Sequence, residues 1–240
     1  MEPWRTGKVI RIEDATYNTK RFWIQVPELD RFDFKPGQFV TLDLPIHEKM
    51  NKRWRSYSIA SHPDGSNIFE LVIVLLEGGA GTTYLFNEVK EGSEMPVRGP
   101  QGVFTLPDEL DKDIFLICTG TGIAPFRAMA NYIKLHNIPH KKIYLIFGCR
   151  LLKDCLYGDE MQQLEEQLPG FFYLPTFSRE SAESHVRLGY VHSVYENIIQ
   201  DGKPEASFFL CGWKNMIDDA RKKIVDLGYT KKDIHFELYG

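Results

Sequence analysis

Apolar runs in this sequence fall far short of the roughly 18 to 20 residues that a membrane-spanning helix needs; LVIVLL, at 71–76, is among the longest. No basic-then-apolar leader opens the chain either, so the expectation is a cytoplasmic protein that engages no membrane. Cysteine is scarce. The four are Cys118, Cys149, Cys155 and Cys211, and their separations match neither a zinc nor an iron–sulfur site, so no bound metal is expected. Three of them fall in or beside apolar strands, where reduced cysteine packs as a small hydrophobe. Charge of one sign is not in large excess: a net −4 over 240 residues gives nucleic acid little to hold. Internal repeats and low-complexity stretches are lacking as well.

What is present is an ordinary globular composition, 43% hydrophobic and 26% charged, enough for one large or two modest domains in a monomer. The two halves are patterned differently. As far as residue 106 the chain reads as short strands, KVIRIEDAT, TKRFWIQV, QFVTLDL, RSYSIAS, IFELVIVLL and VRGPQGVFTL, punctuated by Pro, Gly and Asp turns. That pattern predicts an antiparallel barrel, interrupted by one short helix over 82–89 after the glycines of EGGAG. Beyond PDELDKD, at 107–113, apolar strands alternate with amphipathic helices. The strands are IFLICTG, KKIYLIFG, FFYLPTFS, SFFLCG and DIHFEL; helices are predicted near 125–136, 158–167, 190–200 and 214–227. Alternation of this kind predicts a doubly wound parallel sheet, whose ligands sit at the carboxyl ends of the strands. The expected domains are therefore residues 1–106 and 111–240.

The strand ends carry the chemistry. In ICTGTGIAPFRAM, Gly120 and Gly122 permit a tight turn and Pro125 suits a helix start, so backbone amides there can cradle a phosphate; the glycines are equally compatible with a purely geometric role. Where a dinucleotide fingerprint predicts a ribose-binding acid, the second strand ends in FGCRLLKD, with Arg150. The third ends TFSRE. Ser178 beside Arg179 suits a ribose 2′-phosphate, although Arg179 could instead pair with Glu180 or Glu183. Cys211 and Gly212 end the fourth strand, where Cys211 is either a core residue or a site residue. Glu237, a carboxylate in an apolar strand, either points outward or handles protons. The stretch HEKMNKRWR, at 47–55, is a local basic patch or a solvated loop.

KPGQFV, RSYSIAS, GGAGTTYL, GPQGVF, GTGIAP, SRE, CG and FELY occur in this order, and the ordered set resembles the ferredoxin/flavodoxin NADP⁺ reductase family over nearly the whole chain. The resemblance implies an FAD-binding barrel followed by an NADP-binding domain, with FAD and NADP(H) as cofactors. Arg55 resembles the arginine that meets the FAD pyrophosphate, Tyr57 the aromatic against the flavin ring and Ser58 the hydroxyl near its reacting edge. Gly81 and Thr82 resemble the phosphate-binding start of the short helix, and Ile59, Val72, Gly79 and Thr83 complete the implied FAD set. Gly120, Thr121, Gly122 and Pro125 resemble the NADP pyrophosphate loop; Arg150, Ser178 and Arg179 the 2′-phosphate contacts; Tyr190 an adenine neighbour. Cys211, Gly212, Glu237 and Tyr239 resemble residues around the nicotinamide, with Tyr239 also on the flavin. Plant-type members end at that tyrosine, whereas here Gly240 follows. The implied activity passes hydride from NADPH to flavin and then electrons to a ferredoxin or flavodoxin, an acidic and transient partner that the lysines and arginines of HEKMNKRWR would attract. A reductase component of an oxygenase, or a free flavin or ferric reductase, is the alternative.

Overall fold

A computed structural model describes residues 2–239; Met1 and the Gly240 that follows Tyr239 lie outside the described residues. The first part of the chain supplies β1 (Trp4–Thr16), β2 (Thr19–Gln25), β3 (Phe39–Asp43), β4 (Trp54–Ser58), β5 (Ile68–Val74), the helix α1 (Ala80–Asn87) and β6 (Glu94–Gln101). They form one antiparallel sheet in the order β4-β3-β6-β1-β2-β5. The Ala60 amide, just beyond β4, donates to the Glu70 carbonyl of β5 at 2.8 Å, so the two edge strands are joined and the sheet closes. Alternation along the strands decides what goes inside. Phe22 and Ile24 of β2 and Phe69, Leu71 and Ile73 of β5 are buried together in the core. Each such side chain contributes about 1.5–3 kcal/mol by leaving water.

The sequence pattern predicts a last barrel strand running to residue 106, but β6 stops at Gln101. Gly102 follows at φ +106°, a left-handed conformation that breaks the ladder, and Val103 stands 96% exposed. Helix α1 begins at Ala80, two residues earlier than its apolar spacing suggests, because Gly79 supplies the extended residue at its start.

The rest of the chain alternates as expected: β7 (Asp113–Thr119), α2 (Ala124–Leu135), β8 (Ile143–Cys149), α3 (Gly158–Gln167), β9 (Phe171–Phe177), α4 (Val191–Gln200), β10 (Ala206–Trp213), α5 (Lys214–Asp226) and β11 (Ile234–Tyr239). All pairings are parallel, in the order β11-β10-β7-β8-β9. The strand order therefore reverses between β7 and β10, which makes their carboxyl ends the place where a sheet of this kind leaves a crevice. Phe115, Ile117, Ile146, Tyr195, Phe208, Leu210, Ile217 and Ile224 pack into one core on a face of this sheet. The chain groups into two compact units: residues up to 105 with 127–132 of α2, and residues 106–126 with those from 133 onward.

Candidate functional site

In the first unit β4 pairs antiparallel with β3, setting Arg55 opposite Leu42, Tyr57 opposite Val40 and Ser58 opposite Phe39. Arg55 Nη1 donates to the carbonyls of Lys52, at 3.0 Å, and Trp54, at 2.8 Å. That fixes the guanidinium against the first turn of α1. A Cβ at Gly81 would stand 2.9 Å from Arg55 Cγ and 3.0 Å from Nε, so glycine is what lets the arginine stem lie there. No side chain caps α1 at Gly79; the Thr82 hydroxyl is engaged by the Leu76 amide at 3.1 Å and the Gly79 carbonyl at 3.1 Å, and the Thr83 amide closes the first turn on the same carbonyl. Uncapped helix-start amides beside a guanidinium form an anion site.

Tyr57 is half-buried against the core; burial pushes its phenol up to about 12, and the Arg55 charge works against that rise. Ser58 is buried. Ile59 lies wholly inside the core and donates its amide to the Gln38 carbonyl at 3.0 Å, so it offers a ligand no side chain. Val72 is buried beside Glu70 in the β5 register, on the face turned away from Leu71 and Ile73.

Several neighbours of these residues are not legible from motif spacing. Arg53 Nε meets Asp43 at 2.7 Å. The Arg98 guanidinium lies 4.9 Å from the Trp54 ring and 4.7 Å from that of Trp4, and the two rings are 5.7 Å apart. Glu70, only 2% exposed, accepts from Arg21 Nε at 2.6 Å and from Arg127 Nη1 at 2.9 Å; that same nitrogen also reaches the Ala60 carbonyl at 2.9 Å. Strand register brings the barrel partners together, and α2 brings Arg127.

In the second unit, β7 runs through a tight turn over Gly120–Ile123 into α2, with Thr121 half-exposed and Pro125 in the helix's first turn, where its missing N–H is not needed. Gly120 takes φ +54°. A Cβ on Gly122 would lie 2.4 Å from the Cys211 carbonyl oxygen, and one on Gly212, at φ +139°, would lie 2.5 Å from Thr119 Oγ1. The ends of β7 and β10 thus touch through backbone.

At the neighbouring ends, the Ser178 amide donates to the Cys149 carbonyl at 3.0 Å and the Arg179 amide to the Arg150 carbonyl at 2.9 Å. This ties Arg150 and Arg179, both exposed, to adjacent loops with Ser178 between them. Among the described residues no ion pair joins either arginine. Glu180 is occupied elsewhere: it accepts from the Leu152 and Ser181 amides at 2.8 and 3.1 Å, which holds its carboxyl below the usual range. Tyr190 is 71% exposed at the start of α4 and receives the Ser193 hydroxyl on its carbonyl at 3.0 Å.

Cys211 is fully buried and pairs in register with Cys118 on one side and Glu237 on the other. Burial lifts its thiol well above the ordinary value, the Glu237 and Cys118 charges add to the rise, and the neighbouring Tyr239 opposes it. The thiol is therefore neutral at physiological pH. Glu237 and Tyr239 are half-buried on the edge strand β11. The structure thus brings Gly120–Gly122, Cys211, Gly212, Glu237 and Tyr239 to one end of the second sheet.

Residues 6–106 match the oxidoreductase FAD-binding domain and residues 116–222 the oxidoreductase NAD-binding domain. Ferredoxin–NADP reductase B of Sorangium cellulosum is 33% identical over 214 residues, covering 87% of this chain and 86% of its own. The chain belongs to the ferredoxin–NADP⁺ reductase family. The reductase is an oxidoreductase with an FAD-binding and an NAD-binding domain. A structure of a ferredoxin NADP⁺ reductase from Neisseria gonorrhoeae, with FAD and NADP bound, superposes with a TM-score of 0.81 at 25% identity over 98% of each chain. Phenol hydroxylase P5 protein of Acinetobacter pittii is 29% identical over 96% of this chain, which spans 64% of that protein's length. The Gly81–Arg55 cradle fits a diphosphate, and the close approach of backbone at Gly122 and Gly212 keeps side chains out of the joint between the β7 turn and the end of β10. Among the described residues no helix is long and apolar enough to cross a membrane.

Proposed function

We propose that the reductase takes electrons from NADPH and delivers them to a small acidic ferredoxin or flavodoxin in transient encounters. The observation that carries NADPH, rather than NADH, is the pair of exposed arginines at the ends of β8 and β9, Arg150 and Arg179, flanking Ser178 where an NAD enzyme needs an acid. The ferredoxin acceptor is supported by the likeness to ferredoxin–NADP reductase B over most of both chains.

When bound, FAD accepts two electrons as hydride from the nicotinamide and releases them one at a time. This chain's residues do the placing. Arg55 and the first amides of α1, at Gly81 and Thr82, hold the diphosphate, with Gly79 and Thr83 shaping that turn through their own backbone bonds; Tyr57 lies against the ring system, with Val72 and the Ile59 backbone lining it. Ser58 places a hydroxyl at the reacting edge. Gly120, Thr121, Gly122 and Pro125 cradle the second pyrophosphate, Arg150, Ser178 and Arg179 grip the 2′-phosphate, and Tyr190 covers the adenine. Cys211 keeps a neutral, compact thiol beside the nicotinamide position with Gly212, Glu237 presents a carboxylate near it for proton handling, and Tyr239 stands beside that thiol. These roles belong to an FAD domain over 1–106 and an NADP domain over 111–240 in a cytoplasmic monomer.

The second reading, a reductase component of an oxygenase, is favoured by the match to the phenol hydroxylase protein. Turnover driven by NADPH, compared across ferredoxin, flavodoxin, free flavin and ferric chelates, separates them. Fastest reduction of ferredoxin or flavodoxin is expected; preference for free flavin or iron overturns the proposal.

A further inference from the structure

Arg127 of α2 belongs with the barrel, in the compact unit formed by residues up to 105 and 127–132. Its Nη1 carries two hydrogens and meets two acceptors, the Ala60 carbonyl and Glu70 Oε2, both at 2.9 Å. Ala60 lies two residues beyond Ser58 and is wholly buried. Its amide is held by the Glu70 carbonyl at 2.8 Å, and the Ile59 amide before it by the Gln38 carbonyl at 3.0 Å. On the next residue, the Ser61 hydroxyl accepts from the Glu70 amide at 3.0 Å. Glu70 therefore fastens the chain leaving β4 through its own backbone, and Arg127 completes the set at the Ala60 carbonyl. A buried carbonyl that lost this donor would bear the cost of desolvation uncompensated, so the peptide would shift to find another. The Glu70 carboxylate depends on Arg127 less. Arg21 reaches it with two nitrogens, Nε to Oε1 at 2.6 Å and Nη2 to Oε2 at 3.1 Å, and lies within 3.6 Å of Glu13 as well. Two guanidiniums thus share one charge with different tasks: Arg21 balances it, and Arg127 links it to the strand that carries Tyr57 and Ser58.

We propose that Arg127 is a positioning residue for hydride transfer: by holding the Ala60 carbonyl it fixes the end of β4 and, two residues back along the extended chain, the place of the Ser58 hydroxyl. Reaction between two bound groups tolerates little error in distance, so a shift at the reacting edge slows the chemical step more than it weakens binding. Loss of the Arg127 bond leaves Ser58 on a strand end that is fastened by amides alone. The Arg55 and α1 donors to the diphosphate lie before that end and on another element, so cofactor retention changes little. The effect on rate rests on the assignment of Ser58 to the reacting edge proposed above; the fastening of the strand end does not.

The test compares FAD-loaded wild type with Arg127→Met, Arg127→Lys and Arg21→Met. Arg127→Met keeps the apolar stem and removes the donor. Arg127→Lys keeps a charge beside Glu70 on a shorter side chain without the planar fork, so the carboxylate stays balanced while the carbonyl is given up. Arg21→Met takes a guanidinium from the same carboxylate and leaves the Arg127 bond to Ala60 in place. Amide hydrogen exchange at Ile59 and Ala60, measured relative to β1, should quicken about tenfold in both Arg127 variants and change little in Arg21→Met. Equal changes in the Arg127 and Arg21 variants, or none in any, overturn the proposal; Arg127→Lys decides it alone if Arg127→Met does not retain FAD. In stopped flow, the Arg127 variants should slow flavin bleaching at saturating NADPH about tenfold, the worth of one charge-assisted hydrogen bond, with the half-saturating NADPH concentration unchanged. Ser58→Ala combined with Arg127→Lys should be no slower than Ser58→Ala alone, since one acts through the other. Unaltered bleaching in the Arg127 variants overturns the role in hydride transfer if Ser58→Ala is itself slow. If Ser58→Ala bleaches as fast as wild type, the reacting-edge reading of Ser58 falls and the rate half with it, while the exchange result stands on its own.

Discussion

Glu70 shows how much a single residue can hold in this barrel. Its carboxylate sits on the β5 face turned away from the core and is buried against two guanidiniums, those of Arg21 and Arg127. Removing one partner of such a buried set leaves charge without compensation, so Glu70→Ala should cost about 3–5 kcal/mol, read by denaturant unfolding. Arg55 acts on cofactor retention instead. Arg55→Ala should weaken FAD binding about tenfold or more, the worth of a charge-assisted contact, as followed by release of yellow FAD on dilution. Ser58→Ala should leave retention intact and slow flavin bleaching by NADPH in stopped flow; equal losses in both assays would remove its assignment to the reacting edge. Arg179→Ala should raise the KM for NADPH and spare NADH. These roles are proposed from RSYSIAS and SRE because both are local motifs, readable without the fold. The partners of Arg53, Trp54 and Glu70 are not, since Asp43, Arg98 and Arg127 are brought to them only by strand register and by a helix far along the chain.

Elements were easier to read than their ends. Apolar patterning located the strands and α-helices among the described residues: alternation in the first sheet, near-continuous runs buried on both faces in the second, and helical spacing between them. It overran β6, where Gly102 turns the chain, and it missed the 3-10 turn over Gly120–Ile123, since a turn that short has too few residues to show a period. That turn is nonetheless tightly constrained. Gly122→Ala must push the Cβ into the Cys211 carbonyl, which is backbone and cannot swing away. The expected result is a lower melting temperature together with loss of NADPH binding by titration, while FAD content stays normal. Gly81→Ala meets a flexible arginine stem instead, so it should cost FAD affinity with little loss of stability.

For the whole molecule, the basic stretch at 47–55 narrows to Lys49 and Lys52. Arg53 is paired with Asp43 and Arg55 is turned to backbone carbonyls, whereas the two lysines are exposed. Replacing both with glutamine should flatten the salt dependence of ferredoxin reduction, because fewer charges then steer the encounter; an unchanged slope places docking elsewhere. The division of the chain is likewise less simple than a cut near 106 implies. Arg127 completes the Glu70 cluster from 127–132, so a fragment ending at 106 lacks one of its guanidiniums. The tryptophans carry a different kind of information. Of the four in the sequence, Trp4, Trp23 and Trp54 stand in the first unit, each within 5 Å of an arginine guanidinium, while Trp213 belongs to the second and is 50% exposed at the end of β10. The protein therefore carries two built-in optical reporters. Trp213→Phe leaves an emission spectrum that follows the barrel alone, and the difference from wild type follows the second sheet, so the order in which the halves melt can be recorded without any added dye.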